Sequence, residues 1–272
     1  MKKIYRISTK FFTYLFLKFI KIILMKSNYK IIPAIADYKK LKFDYSKKTR
    51  RLVLQNPSKT FGKIIIDSSH LETELCLLGK KYFTNKSSLN LEGHRSGYTG
   101  LYSLLFNRLK QENCTVAEIG IEKNGSTQMW REYFTKAKIH CFEIDKKKIE
   151  LAKKQNLKKV KYHYIDVNKP EEIRKTFNKT KTKFDIIIDD STHQFDHQIN
   201  IIKNVHKYLK KNGYLVIEDI YRFKRNYKET RYFQQLKQFS KIFSKIVFIE
   251  THHANNFTAN WNCEKLLLLI KK

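Results

Sequence analysis

The sequence predicts an α/β protein: a doubly wound, Rossmann-like, mostly parallel sheet of seven strands with an antiparallel edge, preceded by a helical and irregular N-terminal extension. Three observations predict it. From Thr115 onward, short apolar runs alternate with stretches of helical periodicity, and such alternation builds a parallel sheet with helices on both faces. The runs are apolar at consecutive positions, as strands covered on both faces must be. Every central run ends on an acid, in a chain whose Lys and Arg number 56 against 25 Asp and Glu. Open α/β sheets bind ligands outside the carboxyl ends of their strands, so these acids mark the functional edge.

The 272 residues suffice for one such domain plus an extension, and 42% hydrophobic content excludes a disordered chain. The extension begins with residues 1–26. The stretch FFTYLFLKFIKIILM (11–25) is strongly apolar but carries Lys18 and Lys21, whereas a membrane span wants about 20 apolar residues with few charges. No small-residue cleavage site follows it, since Lys26, Ser27, Asn28 and Tyr29 come next. At 100° per residue Lys3, Arg6, Lys10 and Lys21 share an arc of about 60°, with apolar residues around the rest. That describes a basic amphipathic helix. It lies either in an anionic membrane interface or against the protein's own core or a second subunit of a homo-oligomer. Residues 27–75 read as a small irregular lobe with short runs at Lys30–Ile35, Arg51–Leu54 and Lys63–Ile66. The main domain then occupies 76–272.

A net charge of +31 attracts nucleic-acid phosphates, anionic headgroups or acidic glycans. The same excess also follows from a lysine-rich vocabulary in which lysine simply fills solvated faces. Cys76, Cys114, Cys141 and Cys263 are far apart and form no C-x-x-C pair. They read as reduced thiols of a cytoplasmic protein, peripheral at the inner membrane face if residues 1–26 bind lipid.

Within the main domain the expected strands are 115–120, 138–144, 160–166, 184–190, 214–220, 246–250 and 265–270. Helices are expected at 126–134 and 197–209, where Ile199, Ile202, Val205 and Leu209 share a face and Gly213 follows as a left-handed stop. Too little chain separates the last two strands for a crossover helix, so they form an antiparallel edge pair.

One half of the functional edge suits a nucleotide-like cofactor. EIGIEKNGS (118–126) follows a strand and opens a helix; Gly120 permits a tight turn and Asn124 and Gly125 a positive φ, with Ser126 as N-cap. It lacks G-x-G-x-x-G, which disfavours NAD. Glu143, ending the second strand, can accept both hydroxyls of a ribose. Asp166 either holds an adenine or caps the helix near Pro170. The other half is acidic. FDIIIDDSTHQ (184–194) and IED (217–219) end strands about 4.8 Å apart, so Asp189, Asp190, Glu218 and Asp219 converge. Unpaired, they would repel by several kcal/mol, roughly, at low dielectric. Either a hard divalent cation or Arg and Lys partners must resolve that repulsion. His193 follows the first pair of acids. His252, His253, Asn255, Asn256 and Trp261 could form a loop on the acceptor side.

Four ordered blocks, EIGIEKNGS, MWREYF (129–134), FDIIIDDSTH (184–193) and YLVIEDI (214–220), resemble the S-adenosylmethionine-dependent sugar O-methyltransferases of macrolide tailoring and related polysaccharide and rhamnosyl methyltransferases. Those read in outline E-I-G-V-x-x-G-G-S, M-W-R-x-Y-F, F-D-I-I-I-D-D-G-S-H and Y-V-I-E-D-L. Upstream, LGKKYFTNKSS (78–88) and GYTGLY (97–102) look like that family's L-x-x-K-Y-G-T-D-K-S and G-Y-T-x-L-Y. This chain departs from the pattern at Asn85, Asn124 and Ser191-Thr192.

The resemblance implies S-adenosylmethionine as methyl donor, near Glu118, Gly120, Gly125, Ser126, Glu143, Asp166 and Asp189. It implies Mg2+ or Mn2+ on Asp190, Glu218 and Asp219, with His193 as general base and Asp190 as the alternative base. The implied acceptor is a sugar or other hydroxylated group of a glycan, glycolipid or glycosylated metabolite. Two rivals remain in view. An RNA or DNA methyltransferase would use the basic charge, but no basic run with interleaved aromatics appears. An inactive membrane-bound scaffold has no need of acids at three strand ends.

Overall fold

Eight strands form one sheet: β1 (Phe61–Asp67), β2 (Thr115–Ile119), β3 (Lys138–Glu143), β4 (Val160–Tyr164), β5 (Phe184–Asp189), β6 (Leu209–Ile217), β7 (Phe243–His252) and β8 (Lys265–Lys271). Their order is β1-β7-β8-β6-β5-β2-β3-β4. All neighbours pair in parallel except β8, which runs antiparallel to both β6 and β7. The computed structural model describes residues 61–68, 71–90, 96–222, 224–252 and 264–272. The described residues all belong to one compact unit, Lys59–Lys272. The helix expected over 1–26, with its membrane and subunit contacts, lies outside the described residues. Among the described residues no helix is long and apolar enough to cross a membrane.

The expected architecture is present, with corrections. The sheet has eight strands, not seven, because Phe61–Asp67 pairs along its whole length with β7, from Phe61↔Ile246 to Asp67↔His252. That stretch, expected in the lobe of 27–75, belongs to the main sheet. Its seven residues are too few for periodicity to separate a strand from irregular chain. The antiparallel pair is therefore not the edge: β8 lies inside and β1 closes the sheet. β1 is protected as edge strands are, by a charge: Lys63 pairs with Glu250 at 2.6 Å and Glu229 at 3.1 Å.

Among the described residues seven α-helices flank the sheet: α1 (Glu74–Lys81), α2 (Tyr98–Phe106), α3 (Gly125–Tyr133), α4 (Lys146–Lys154), α5 (Pro170–Thr180), α6 (Phe195–Val205) and α7 (Glu229–Leu236). Alternate residues of the central strands feed two cores. Ala117, Ile119 and Ile187 join Phe142 and Phe177, while Val116, Ile186 and Ile188 join Tyr102 and Trp130. The helix expected over 197–209 stops at Val205, and a 3-10 turn at His206–Tyr208 leads into β6. Asn212 (φ 58°), not Gly213, takes the left-handed conformation. Gly213 answers a different need, since a β-carbon there would lie 2.9 Å from Lys210 O and 3.1 Å from Asp185 O. Cys76, Cys114 and Cys141 are buried free thiols, as expected, and Cys263 lies outside the described residues.

The chain lays down β2, β3 and β4 in one direction, then returns to place β5 and β6 on the other side of β2. The switch point thus falls between β2 and β5, where two loops diverge and leave room for a ligand.

Candidate active site

A cavity of about 1050 Å³ opens at that switch point. Gly120, Gly125, Ser126, Glu143, Asp166, Asp190 and His193, all singled out from sequence, line it. The β2–α3 loop is shaped by close backbone approaches. Gly120 sits at φ 89°, and a β-carbon there would run into the carbonyl of Asp190, which also donates its N–H to Ile119 O at 2.8 Å. Gly125 is glycine because the Tyr82 carbonyl crosses it, not for a positive φ. Asn124 supplies the left-handed turn (φ 67°) before α3, and its Nδ2 donates to Gln155 Oε1 (2.7 Å) and Tyr162 OH (2.9 Å). Ser126 is one residue inside α3, so it is not the N-cap expected of it.

Glu143 ends β3 with its carboxylate oriented by backbone amides: Oε1 accepts from Ile144 N (2.8 Å) and Asp145 N (3.0 Å), Oε2 from Ile121 N (3.2 Å). Both strand loops that flank the cavity are thereby tied to one acid. Asp166 braces the turn before α5, accepting from Asn168 N at 3.0 Å and pairing with Lys169 at 3.2 Å, while also lining the cavity. His197 links the two loops beside it, Nδ1 with Thr192 Oγ1 (2.8 Å) and Nε2 with Asn168 Oδ1 (3.1 Å).

Two acids expected at the cofactor face elsewhere. Glu118 is still within β2, fully buried, and accepts from Trp130 Nε1 (3.1 Å) and Thr127 Oγ1 (3.4 Å) of α3. It does not line the cavity, because the strand's parity sends it to the opposite core. Asp189 turns back on its own loop and accepts from Ser191 Oγ (2.6 Å) and Ser191 N (3.3 Å). Burial pushes its carboxyl up to about 6, against the lowering influence of Ser191 and His193.

The remaining acids converge as expected, but a lysine lies among them. Lys86 Nζ is 2.5 Å from Asp190 Oδ2, 2.5 Å from Glu218 Oε2 and 3.8 Å from Glu118 Oε1. Two tyrosines of α2 complete the shell: Tyr102 OH donates to Glu218 Oε1 (2.5 Å) and Tyr98 OH to Asp219 Oδ1 (2.9 Å). Burial by itself works against the Lys86 ammonium. The charges of Asp190, Glu218 and Glu118 overcome it and hold the ammonium well above the ordinary lysine range. Burial, and then the neighbouring carboxylates, likewise raise Tyr98 and Tyr102 well above the ordinary phenol range, so both stay donors.

His193 and Asp219 both sit at positive φ (56° and 53°), a strain that aims His193 Nε2 to within 3.6 Å of Asp219 Oδ2. Among the described residues His193 Nδ1, a buried atom, has no hydrogen-bond partner. Ligand atoms of Asp190, His193 and Asp219 lie within 4.8 Å of one another, and the two carboxylates of that group suit a hard ion such as Mg2+ or Mn2+. Glu218, expected in that set, instead spends its two oxygens on Lys86 and Tyr102. Sequence reading missed Lys86, Tyr98 and Tyr102. Their signal was present in TNKSS and GYTGLY, upstream blocks whose partners are more than 100 residues away. Of the loop expected on the acceptor side, His252 ends β7, and His253, Asn255, Asn256 and Trp261 lie outside the described residues.

Comparison with known proteins bears on the family and the fold. A family model described as a methyltransferase domain matches residues 111–261. A Streptomyces olivaceus 8-demethyl-8-(2-methoxy-alpha-L-rhamnosyl)-tetracenomycin-C 3'-O-methyltransferase is 29% identical over 132 residues, 46% of this chain and 32% of that protein. The 8-demethyl-8-alpha-L-rhamnosyl tetracenomycin-C 2'-O-methyltransferase of the same organism is 25% identical over 132 residues, 45% of this chain and 33% of its own length. The chain thus spans about a third of the length of these relatives. Among solved structures, the MycE methyltransferase of mycinamycin biosynthesis, in complex with Mg and SAH, superposes with a TM-score of 0.55 at 18% identity, over 74% of this chain and 55% of that one. At that identity the likeness establishes the fold.

Proposed function

This chain belongs to the methyltransferase-domain family, and we propose that it transfers the methyl group of S-adenosylmethionine to a hydroxyl of a sugar-bearing acceptor, assisted by a divalent cation. The observation that carries this reading is the meeting of Asp190, His193 and Asp219 beside the β2–α3 loop, at the wall of one cavity. The relatives' names support the acceptor class, since both describe O-methylation of rhamnosyl tetracenomycins.

Gly120 and Glu143 would cradle the donor, Glu143 accepting from the ribose hydroxyls while its backbone contacts keep it oriented. Asp190 and Asp219 would hold the cation. Bound there, Mg2+ or Mn2+ supplies positive charge that makes an acceptor hydroxyl easier to deprotonate. His193 Nε2, held 3.6 Å from Asp219 Oδ2 at the edge of that site, takes the proton. Methyl transfer is an in-line displacement, so the rest of the contribution is alignment.

Calorimetry tests the donor: S-adenosylmethionine should bind at micromolar or tighter dissociation constants, about −8 kcal/mol or better. Turnover on a panel of glycosylated acceptors tests the rest, with loss in EDTA and return with Mg2+ or Mn2+. Tight NAD binding without S-adenosylmethionine binding would defeat the reading. Full turnover in EDTA would remove the metal alone.

A further inference from the structure

The turn at 84–90 is pinned to both helices that flank it. Ser87 Oγ donates to Cys76 O of α1 (2.7 Å), and Thr99 N of α2 donates to Lys86 O (3.1 Å). Gly79 makes the room, since a β-carbon there would lie 2.6 Å from that of Ser87. From this fixed turn Lys86 reaches inward, 1% exposed, to the two 2.5 Å contacts with Asp190 and Glu218. Lysine is almost never buried to this degree unless it is paired, so the fold has invested in the placement. Asp190 is fixed from two sides, by Lys86 at its Oδ2 and by Ile119 O at its amide.

Building on the metal-assisted reading above, we propose that Lys86 is the resident cation of the acid cluster, a positioning residue that permanently holds Asp190 and Glu218. It removes Glu218 from the metal ligands and leaves Asp190 and Asp219, with His193 beside them, to meet the divalent ion. The ammonium has three donors, and carboxylates at 2.5, 2.5 and 3.8 Å surround it. Glu218 is closed on its other oxygen by Tyr102. A divalent ion entering the same space would have to displace a charge that the backbone holds in place. The cluster is therefore organised before any metal arrives, and the metal site is a two-carboxylate site rather than a three-carboxylate one.

The test uses the full chain, Mn2+ alone as probe, and four variants: Lys86→Met, Glu218→Gln, the double variant, and Asp219→Asn. Lys86→Met should lower Tm in EDTA by about 10 °C, the usual scale for breaking a buried pair. It should also bind Mn2+ at least tenfold more tightly, because an uncompensated carboxylate joins the site. Glu218→Gln should leave the Mn2+ dissociation constant within about threefold, whereas Asp219→Asn should weaken it at least tenfold. The double variant should melt above Lys86→Met, since removing both charges leaves neither stranded. If Lys86→Met fails to fold in EDTA, folding of the double variant supports the proposal in its place, and failure of both to fold overturns it.

Loss of Mn2+ binding in Glu218→Gln would overturn the proposal, as would a Lys86→Met protein matching the wild type in both Tm and Mn2+ affinity. Absence of Mn2+ binding by the folded wild type would defeat the metal reading instead. The role of Lys86 would then rest on Tm alone, standing if the double variant melts above Lys86→Met and falling if the two losses add.

Discussion

The two halves of the cavity edge are built by different means. On the proposed donor side, the β2–α3 loop and Glu143 are held by backbone groups close in sequence or on paired strands: Ile121, Ile144 and Asp145 amides on one carboxylate, and carbonyls of Asp190 and Tyr82 crowding two glycines. On the acid side, Asp190, Glu218 and Asp219 are held by side chains that arrive from outside the sheet, Lys86, Tyr98 and Tyr102. The first arrangement needs glycines and amides; the second needs charge balance. A defect on the donor side should therefore cost affinity, and one on the acid side should cost turnover or folding.

The largest expected effect breaks the acid side. His193→Ala should lower turnover by about 10²–10⁴, the usual worth of a general base, with S-adenosylmethionine affinity unchanged. Single-turnover rates and calorimetry on the same preparation separate the two. A loss below tenfold would transfer the proton to Asp190, which lines the same cavity.

A smaller effect is expected on the donor side. Glu143→Gln keeps the shape and one acceptor oxygen for the amides of Ile144 and Asp145. Losing the charge should weaken donor binding by about 1–2 kcal/mol, roughly tenfold, and leave saturated turnover nearly intact. Equal losses in affinity and turnover would show that the halves are not separable.

Smaller still is the cost stored at the mouth of the cavity. Phe83 stands at φ 52°, 72% exposed, on the wall contributed by the turn after α1. Left-handed backbone costs a β-carbon-bearing residue about 1 kcal/mol or slightly more. Phe83→Gly should raise Tm by about 2–4 °C, and a fall would show that the ring is packed, not strained.

The last test lies away from both halves and sets the background against which they are measured. His140 stacks on His163, with Nδ1 and Nε2 3.0 Å apart. Burial, then His163 and nearby lysines, lowers His140 to about 4. The unfolded chain, titrating near 6.5, binds the proton first, so this residue subtracts stability as pH falls from about 6.5 through about 4 and contributes nothing above. Wild type should lose Tm over that window, and His140→Gln should lose less. Parallel curves would assign the acid sensitivity elsewhere.

The sequence alone makes the alternating sheet legible, because consecutive apolar positions in FDIIID and YLVI leave a strand no solvent face. It determined the acids at the strand ends and the turn at Gly120, because these are local to one strand and its loop. It could not separate β1 from irregular chain, since a seven-residue edge strand has little of its own pattern and depends on β7 for every pair. Nor could it say which way Glu118 and Asp189 face, because one residue of strand parity decides that. Above all, it left open whether a metal ion or a basic side chain balances the acids. In the folded chain Lys86 does so in part. A lysine's charge is legible anywhere in a chain, but its burial among carboxylates depends on where two helices hold a turn 104 residues away from Asp190.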